Sequence, residues 1–164
     1  MANFKIRDYR REDESAVADL YMLTFAEPPW NKRISFDKAS GEVHGNSVQP
    51  AFIGLVATDA ENIVGFRFAY PLTENVFRFL SPVIKRPALN SAKIGVHPDY
   101  RRRGIARTMM LETIKRAYEK GFKQLVGRTK NHDAMGPLYA ELGYKSLGRM
   151  DPQDPERIYY VLDL

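Results

Sequence analysis

The sequence predicts an α+β fold, with a mixed, mostly antiparallel sheet of about six to seven strands flanked by about four helices. Three observations carry that expectation. Val64, Phe66, Phe68 and Tyr70 recur at period two, which places them on one face of a strand. Val17, Leu20, Tyr21 and Thr24 recur at helical spacing, and so do Met110, Ile114, Tyr118 and Phe122. The segments then follow one another as β-α-α-β-β-β-α-β-α-β-β, with no repeat, low-complexity stretch or linker between them.

Residues 4–9 read as a short strand and 13–26 as an amphipathic helix. Glu27-Pro28-Pro29-Trp30 ends that helix, because proline lacks a donor and disfavours helix in the residue before it. A short polar helix is expected at 35–45. Residues 51–58 and 62–70 form a hairpin around Asp59-Ala60-Glu61-Asn62. The three prolines of 71–90 and the lack of any period predict a long loop with at most one helical turn. Residues 91–97 form a strand that Pro98 breaks. Residues 104–120 form the best helix, stopped by Gly121. A strand at 124–130, a short helix at 133–142 and strands at 144–150 and 157–164 complete the chain.

A chain of 164 residues suits one domain, 1–164, and buries roughly 70% of its extended surface on folding. With 44% hydrophobic and 27% charged residues it reads as globular rather than disordered. The absence of cysteine excludes a disulfide scaffold, a Cys-ligated zinc and a thiol nucleophile. Three scattered histidines, His44, His97 and His132, give no metal spacing, so no metal is expected. No apolar run reaches membrane-spanning length, and the first residues hold no signal-peptide core. A soluble, cytoplasmic protein without membrane contact is therefore expected. The net charge of +5 admits nucleic acid, an acidic surface or an anionic cofactor as partner, or no more than solubility.

The most informative segment is Val96-His97-Pro98-Asp99-Tyr100-Arg101-Arg102-Arg103-Gly104-Ile105-Ala106. A strand stops, a basic turn follows, and a long helix starts at small residues. The first amides of a helix lack internal partners, and the dipole there is positive. Such a turn makes an anion site. Read alone, the arginine run is equally a solvated cap. Small residues at both 104 and 106 favour the anion site.

This segment resembles the acyl-coenzyme A signature of the GNAT superfamily of N-acetyltransferases, R/Q-x-x-G-x-G/A, with Arg101, Gly104 and Ala106 at its fixed positions. The order of elements resembles that family across the chain, while the motifs cover 91–144. The resemblance implies a GNAT-like fold and acetyl-CoA as acyl donor. Amides around 102–106, with Arg101, Arg102, Arg103 and Ile105, would hold the pyrophosphate. The strand Ser91-Ala92-Lys93-Ile94-Gly95-Val96 would pair with the pantetheine arm, through Ile94 and Val96. Many relatives carry a glutamate on this strand as a base, and here Ser91 and Lys93 stand instead. Glu27, Glu42, His44 and Glu74 are possible substitutes, or the amine loses its proton to water.

A second segment, Asn131 to Tyr144, resembles the family's Asn-rich turn and the helix ending Leu-Tyr-x-x-x-Gly-Phe/Tyr, matched by Leu138, Tyr139, Gly143 and Tyr144. The resemblance makes Tyr139 the acid that protonates the leaving thiolate and Asn131 a pantetheine contact. Asn131 lies one residue farther from Leu138 than in the common form. Without the upstream motif, Tyr139 reads as a half-buried anchor.

The resemblance implies as acceptor a primary amine on a small molecule or a protein. Trp30, Glu27 and Glu74, beside the expected thioester, are its candidate contacts. Succinyl or propionyl donors would use the same cradle as acetyl, and a homodimer is an open alternative to a monomer. Two other readings compete: a non-catalytic acyl-CoA-binding module, and a basic nucleic-acid-binding domain. The second would need basic and aromatic groups dispersed on one surface. Here the basic cluster is tied to a helix start, so no nucleic acid is expected.

Overall fold

One sheet of seven strands organises the molecule, in the order β1-β2-β3-β4-β5-β7-β6. The computed structural model describes residues 3–28, 30–130 and 135–164. The strands are β1 (Lys5–Asp8), β2 (Ile53–Asp59), β3 (Asn62–Pro71), β4 (Ala88–Val96), β5 (Gln124–Lys130), β6 (Lys145–Gly148) and β7 (Arg157–Asp163). The helices are α1 (Glu14–Ala26), α2 (Phe36–Ser47), α3 (Glu74–Leu80), α4 (Ile105–Glu119) and α5 (Met135–Glu141). The α+β class and the mixed sheet follow the expectation.

Every strand pair is antiparallel except β4 with β5. Parallel neighbours need a crossover, and α4 supplies it. That pair is brief. Ala88, Leu89 and Asn90 pair with Gln124, Leu125 and Val126, and beyond them the two strands part. A bulge in β4 accompanies the parting: Phe68 pairs with Lys93 and Ala69 with Ser91, leaving Ala92 extra. Bulges increase local twist and bend the strand that carries them. A cleft opens between the diverging strands.

Helices α1 and α2 cover one face of the sheet. Val17, Leu20, Tyr21 and Val43 pack there with Val56, Phe66 and Phe68. Helix α4 covers the other, with Ile105 and Met109 against Leu55 and Ala57. Val64 departs from the expected alternation and joins the α4 side. A register shift explains it: Gly65 pairs with Ala57 and Ile63 with Thr58, so Val64 is the extra residue of a bulge.

Two further expectations need correction. The stretch 71–90 contains a real helix, α3, which makes five α-helices among the described residues. Its Leu80 is buried with Ile84, Val126 and Tyr159. A seven-residue helix makes barely two turns, too few to display a period. On α4 the buried stripe is Ile105, Met109, Met110, Thr113 and Ala117, while Tyr118 is 70% exposed. Steps of four residues drift by about 40° each on a helix of 3.6 residues per turn, so a stripe must alternate threes and fours. Among the described residues no helix is long and apolar enough to cross a membrane.

Candidate active site

The cleft between β4 and β5 has a volume of about 1160 Å³. At one end lies the turn from β4 into α4. A short 3-10 helix, Pro98–Tyr100, follows the strand, and the His97 ring accepts the Asp99 N–H at 3.2 Å. The Tyr100 hydroxyl donates to Asp59 at 2.8 Å and pins the turn to the end of β2. Arg103 donates to the Asp99 carbonyl at 2.8 Å and lies over the Tyr100 ring. Arg101 reaches the Val96 carbonyl at 3.2 Å and forms an ion pair with Glu27 at 2.6 Å. Two of the three arginines therefore hold the turn in shape.

Arg102 and Gly104 adopt positive φ, 59° and 81°. A side chain at 104 would be strained in that left-handed region. It would also project into open space, with no atom within 4 Å of a Cβ built there. The first helical bond of α4 runs from Thr108 N–H to the Gly104 carbonyl at 2.9 Å. The amides of Ile105, Ala106 and Arg107 precede it and lack helical partners. Ile105 offers only its backbone here, because its side chain is 1% exposed in the core. Free amides, a positive helix end and open space suit a phosphate group.

Strand β4 forms one wall. The His97 N–H bonds the Val64 carbonyl at 2.9 Å. Antiparallel ladders alternate, so Gly95 and Lys93 turn their backbone groups toward β3. Ile94 and Val96 direct theirs the other way, toward the cleft, while their side chains pack against the α4 core. Past Asn90 that edge has no strand beside it among the described residues.

At the floor, Tyr139 of α5 is 2% exposed. Its ring lies against β5, where a Cβ at Gly127 would come within 2.7 Å of the hydroxyl, so only glycine leaves room. Tyr144 and Tyr160 flank it, each at a centroid distance of 4.9 Å. Arg67, 1% exposed, donates to the Ser91 hydroxyl at 2.6 Å, and its Nε has no partner among the described residues. Desolvation drives the Tyr144 phenol upward, and the Arg67 charge opposes it.

On the α1–α2 side, three residues from three elements meet. The Tyr21 hydroxyl donates to Glu42 at 2.5 Å, and Lys93 Nζ lies 3.1 Å from the same hydroxyl and 3.4 Å from Glu42. Burial pushes the Tyr21 phenol well up, and Glu42 pushes it further. Burial also raises Glu42, but the Tyr21 hydrogen bond and Lys93 outweigh it and hold the carboxyl below its usual range. Burial lowers Lys93; Glu42 opposes this, while Arg128 and Lys32 add to it. Phe25 stacks between Tyr21 and Trp30, at 4.4 and 5.5 Å, and continues the wall.

The structure thus gathers Trp30, Ile94, Val96, Arg101, Arg102, Gly104, Ile105, Ala106 and Tyr139 around one cleft. Arg103 belongs to the same turn but bonds back to Asp99. Glu27 does not line the cleft and forms its ion pair with Arg101. Glu74 is elsewhere, on α3, paired with Arg86 at 2.7 Å. His44 pairs with Glu14 at 3.2 Å. Of the four possible substitutes for a strand glutamate, Glu42 is the one seated beside the strand. Asn131 lies outside the described residues. Among those residues no three acidic or histidine side chains form a metal-binding group.

Comparisons with known proteins agree with this geometry. No curated protein matches the sequence at a significant level. The ribosomal-protein-alanine N-acetyltransferase of Brucella melitensis superposes with a TM-score of 0.75 at 18% identity, covering 98% of this chain and 99% of that one. The paia N-acetyltransferase of Thermoplasma acidophilum, solved in complex with coenzyme A, gives 0.73 at 14% identity over 99% of both chains. The protein yncA of Salmonella typhimurium, solved with acetyl-CoA, gives 0.74 at 15% identity, covering 98% and 94%. At such identities these likenesses establish the fold. The family model for the acetyltransferase (GNAT) domain matches residues 50–146, from β2 through the helix-start turn to β6, and the chain belongs to that family.

Proposed function

We propose that the protein moves an acetyl group from acetyl-CoA to a primary amine, with both bound in the cleft at once. One observation carries the reading: β4 and β5 part between an anion-binding helix start and a buried cluster of proton-bearing side chains. The donor supplies an acyl thioester and a polyanionic handle; the remaining tasks fall to this chain.

The amides of Ile105, Ala106 and Arg107, with the open space beside Gly104, would hold the pyrophosphate, and Arg102 adds attraction. The outward backbone groups of Ile94 and Val96 would bond the pantetheine amides as an added strand does. A fixed N–H on that edge is also the right kind of donor for charge developing on an acyl oxygen. Tyr139 would hold the proton that the leaving sulfur takes. The half-satisfied Arg67 favours negative charge at this end of the cleft. Glu42, kept ionised by Tyr21 and Lys93, is a weak base but a good anchor for an ammonium group. The amine proton then passes to water, and the rate rises with pH as the acceptor deprotonates. Bringing the two reactants together supplies much of the acceleration.

A non-catalytic acyl-CoA-binding module would have no use for Glu42, Tyr21 and Tyr139 in a shared cleft. Acetyl-CoA should raise the melting temperature, since a ligand of the folded state stabilises it by mass action. Duplex nucleic acid should not do so at physiological salt. A flat response to millimolar coenzyme A, in both melting and heat of binding, overturns the proposal. Release of free thiol with a panel of amines then tests transfer itself.

A further inference from the structure

We infer that the acceptor is a small amine bearing its own negative charge, a carboxylate or phosphate close to the amino group. The inference rests on the transferase reading and asks which amine the cleft is built to take. The charges on its α1–α2 side are lopsided. Lys32, Lys38, Lys93 and Arg128 line it there, against one carboxylate, Glu42. Glu141, the other acid on the cleft wall, is committed to Arg107, and Glu27, which does not line the cleft, to Arg101, at 2.6 Å each. Among the described residues, Lys32, Lys38 and Arg128 have no carboxylate within 4.0 Å. By contrast Lys130 pairs with Glu156, and Arg157 with Asp151 and Asp154.

These cations converge. Arg128, on β5, and Lys32, after α1, both bear on Lys93, and Lys38, on α2, bears on Glu42. Charge from β4, β5, α2 and the segment after α1 meets at one place, beside the aromatic wall of Tyr21, Phe25 and Trp30, where Lys93 Nζ lies 5.3 and 5.4 Å from the Tyr21 and Phe25 ring centroids. A polyamine or an aminoglycoside would bring several ammonium groups into this surplus of like charge, which is costly in a partly desolvated site. An amino-acid-like zwitterion matches both signs: its ammonium joins Lys93 at Glu42, and its anion faces Lys32 and Arg128. Arg101 and Arg107, at the phosphate turn, are already paired with Glu27 and Glu141 and add nothing to this surplus.

Trp30, the single tryptophan, lies on this wall and reports binding without turnover. The test titrates the coenzyme A-loaded protein with matched pairs: an amino acid against its amide, and phosphoethanolamine against ethanolamine, with spermidine as polycation. The anionic member of each pair should bind at least tenfold tighter. Within the anionic members, the rank of carboxylate and phosphate identifies the source of charge. Raising salt from about 50 to about 500 mM should erode the preference, because exposed charges are screened. Arg128→Gln should reduce it at least threefold, with no change in coenzyme A affinity. Equal binding within pairs, or spermidine binding tightest, overturns the inference while leaving the transferase reading intact. Failure of coenzyme A to load defeats that earlier reading instead.

Discussion

The two ends of the cleft are built on opposite plans. The end proposed for the donor is made of backbone, contiguous in sequence from Val96 to Arg107, and its arginines mostly brace the turn. The end proposed for the acceptor is made of side chains. Tyr21, Glu42, Lys93 and Arg128 come from four elements and meet only through the tertiary fold. Backbone recognition tolerates change in side chains but not in conformation. Side-chain recognition is retuned by single substitutions and answers to pH and salt.

Three experiments sharpen the contrast, from the largest effect to the smallest. Tyr139→Phe keeps the ring that fills the space against Gly127 and removes the hydroxyl. General acid catalysis contributes about 10²–10⁴-fold, so turnover should fall by roughly a hundredfold with coenzyme A affinity unchanged. Pre-steady-state rates must be measured, because slow product release hides a chemical defect. Parental chemistry in the variant removes Tyr139 from the mechanism.

At the donor end, conformation should matter more than charge. Gly104→Val forces a branched residue to a φ of 81°, which costs about 1–2 kcal/mol, and fills space that a phosphate would occupy. Coenzyme A affinity should drop tenfold or more by calorimetry. Arg102→Ala should cost no more than about threefold, and less as salt rises, because an exposed charge is screened. If the two variants behave alike, the donor end is not a backbone site.

Glu42→Gln probes the acceptor end through stability. The Glu42 carboxyl sits below its ordinary value of 4.5 when folded, facing Tyr21, Lys93 and Lys38. A depressed acid contributes stability that is present above its unfolded pKa and lost as pH falls through the folded one. Melting temperature should therefore fall more steeply for the parent than for the variant between about pH 5 and pH 3. Parallel acid limbs would mean that the carboxylate is not held by its neighbours. The variant should also loosen Lys93, raising the KM of the acceptor while leaving coenzyme A binding alone.

What could be read in advance follows the same division. The donor turn was legible because Arg101, Gly104 and Ala106 sit within six consecutive residues, and a strand-to-helix junction leaves a local mark. Ile94 and Val96 were legible as strand positions, although which way their backbone faces depends on the ladder with β3. Glu27, Glu42 and Glu74 all stand as possible substitutes for a strand glutamate, and sequence reading prefers Glu27 and Glu74 as acceptor contacts, because nothing near a glutamate in sequence names its partner. Only the fold reveals that Arg101, Tyr21 with Lys93, and Arg86 respectively claim them. Arg128 carried no signal at all, being one basic residue on a strand. Val64 misled because a single extra residue reverses the face of all that precede it, and bulges leave no reliable trace in composition.

The short parallel contact between β4 and β5 has a consequence for the energetics of binding. Three residue pairs hold the strands together, and then each goes its own way. The gap is thus part of the folded register rather than something a ligand must pry open. An extended molecule entering it meets hydrogen-bonding groups already oriented and already separated from any competing strand. Little conformational freedom remains to be lost at that wall on binding, which is what preorganisation means in free-energy terms.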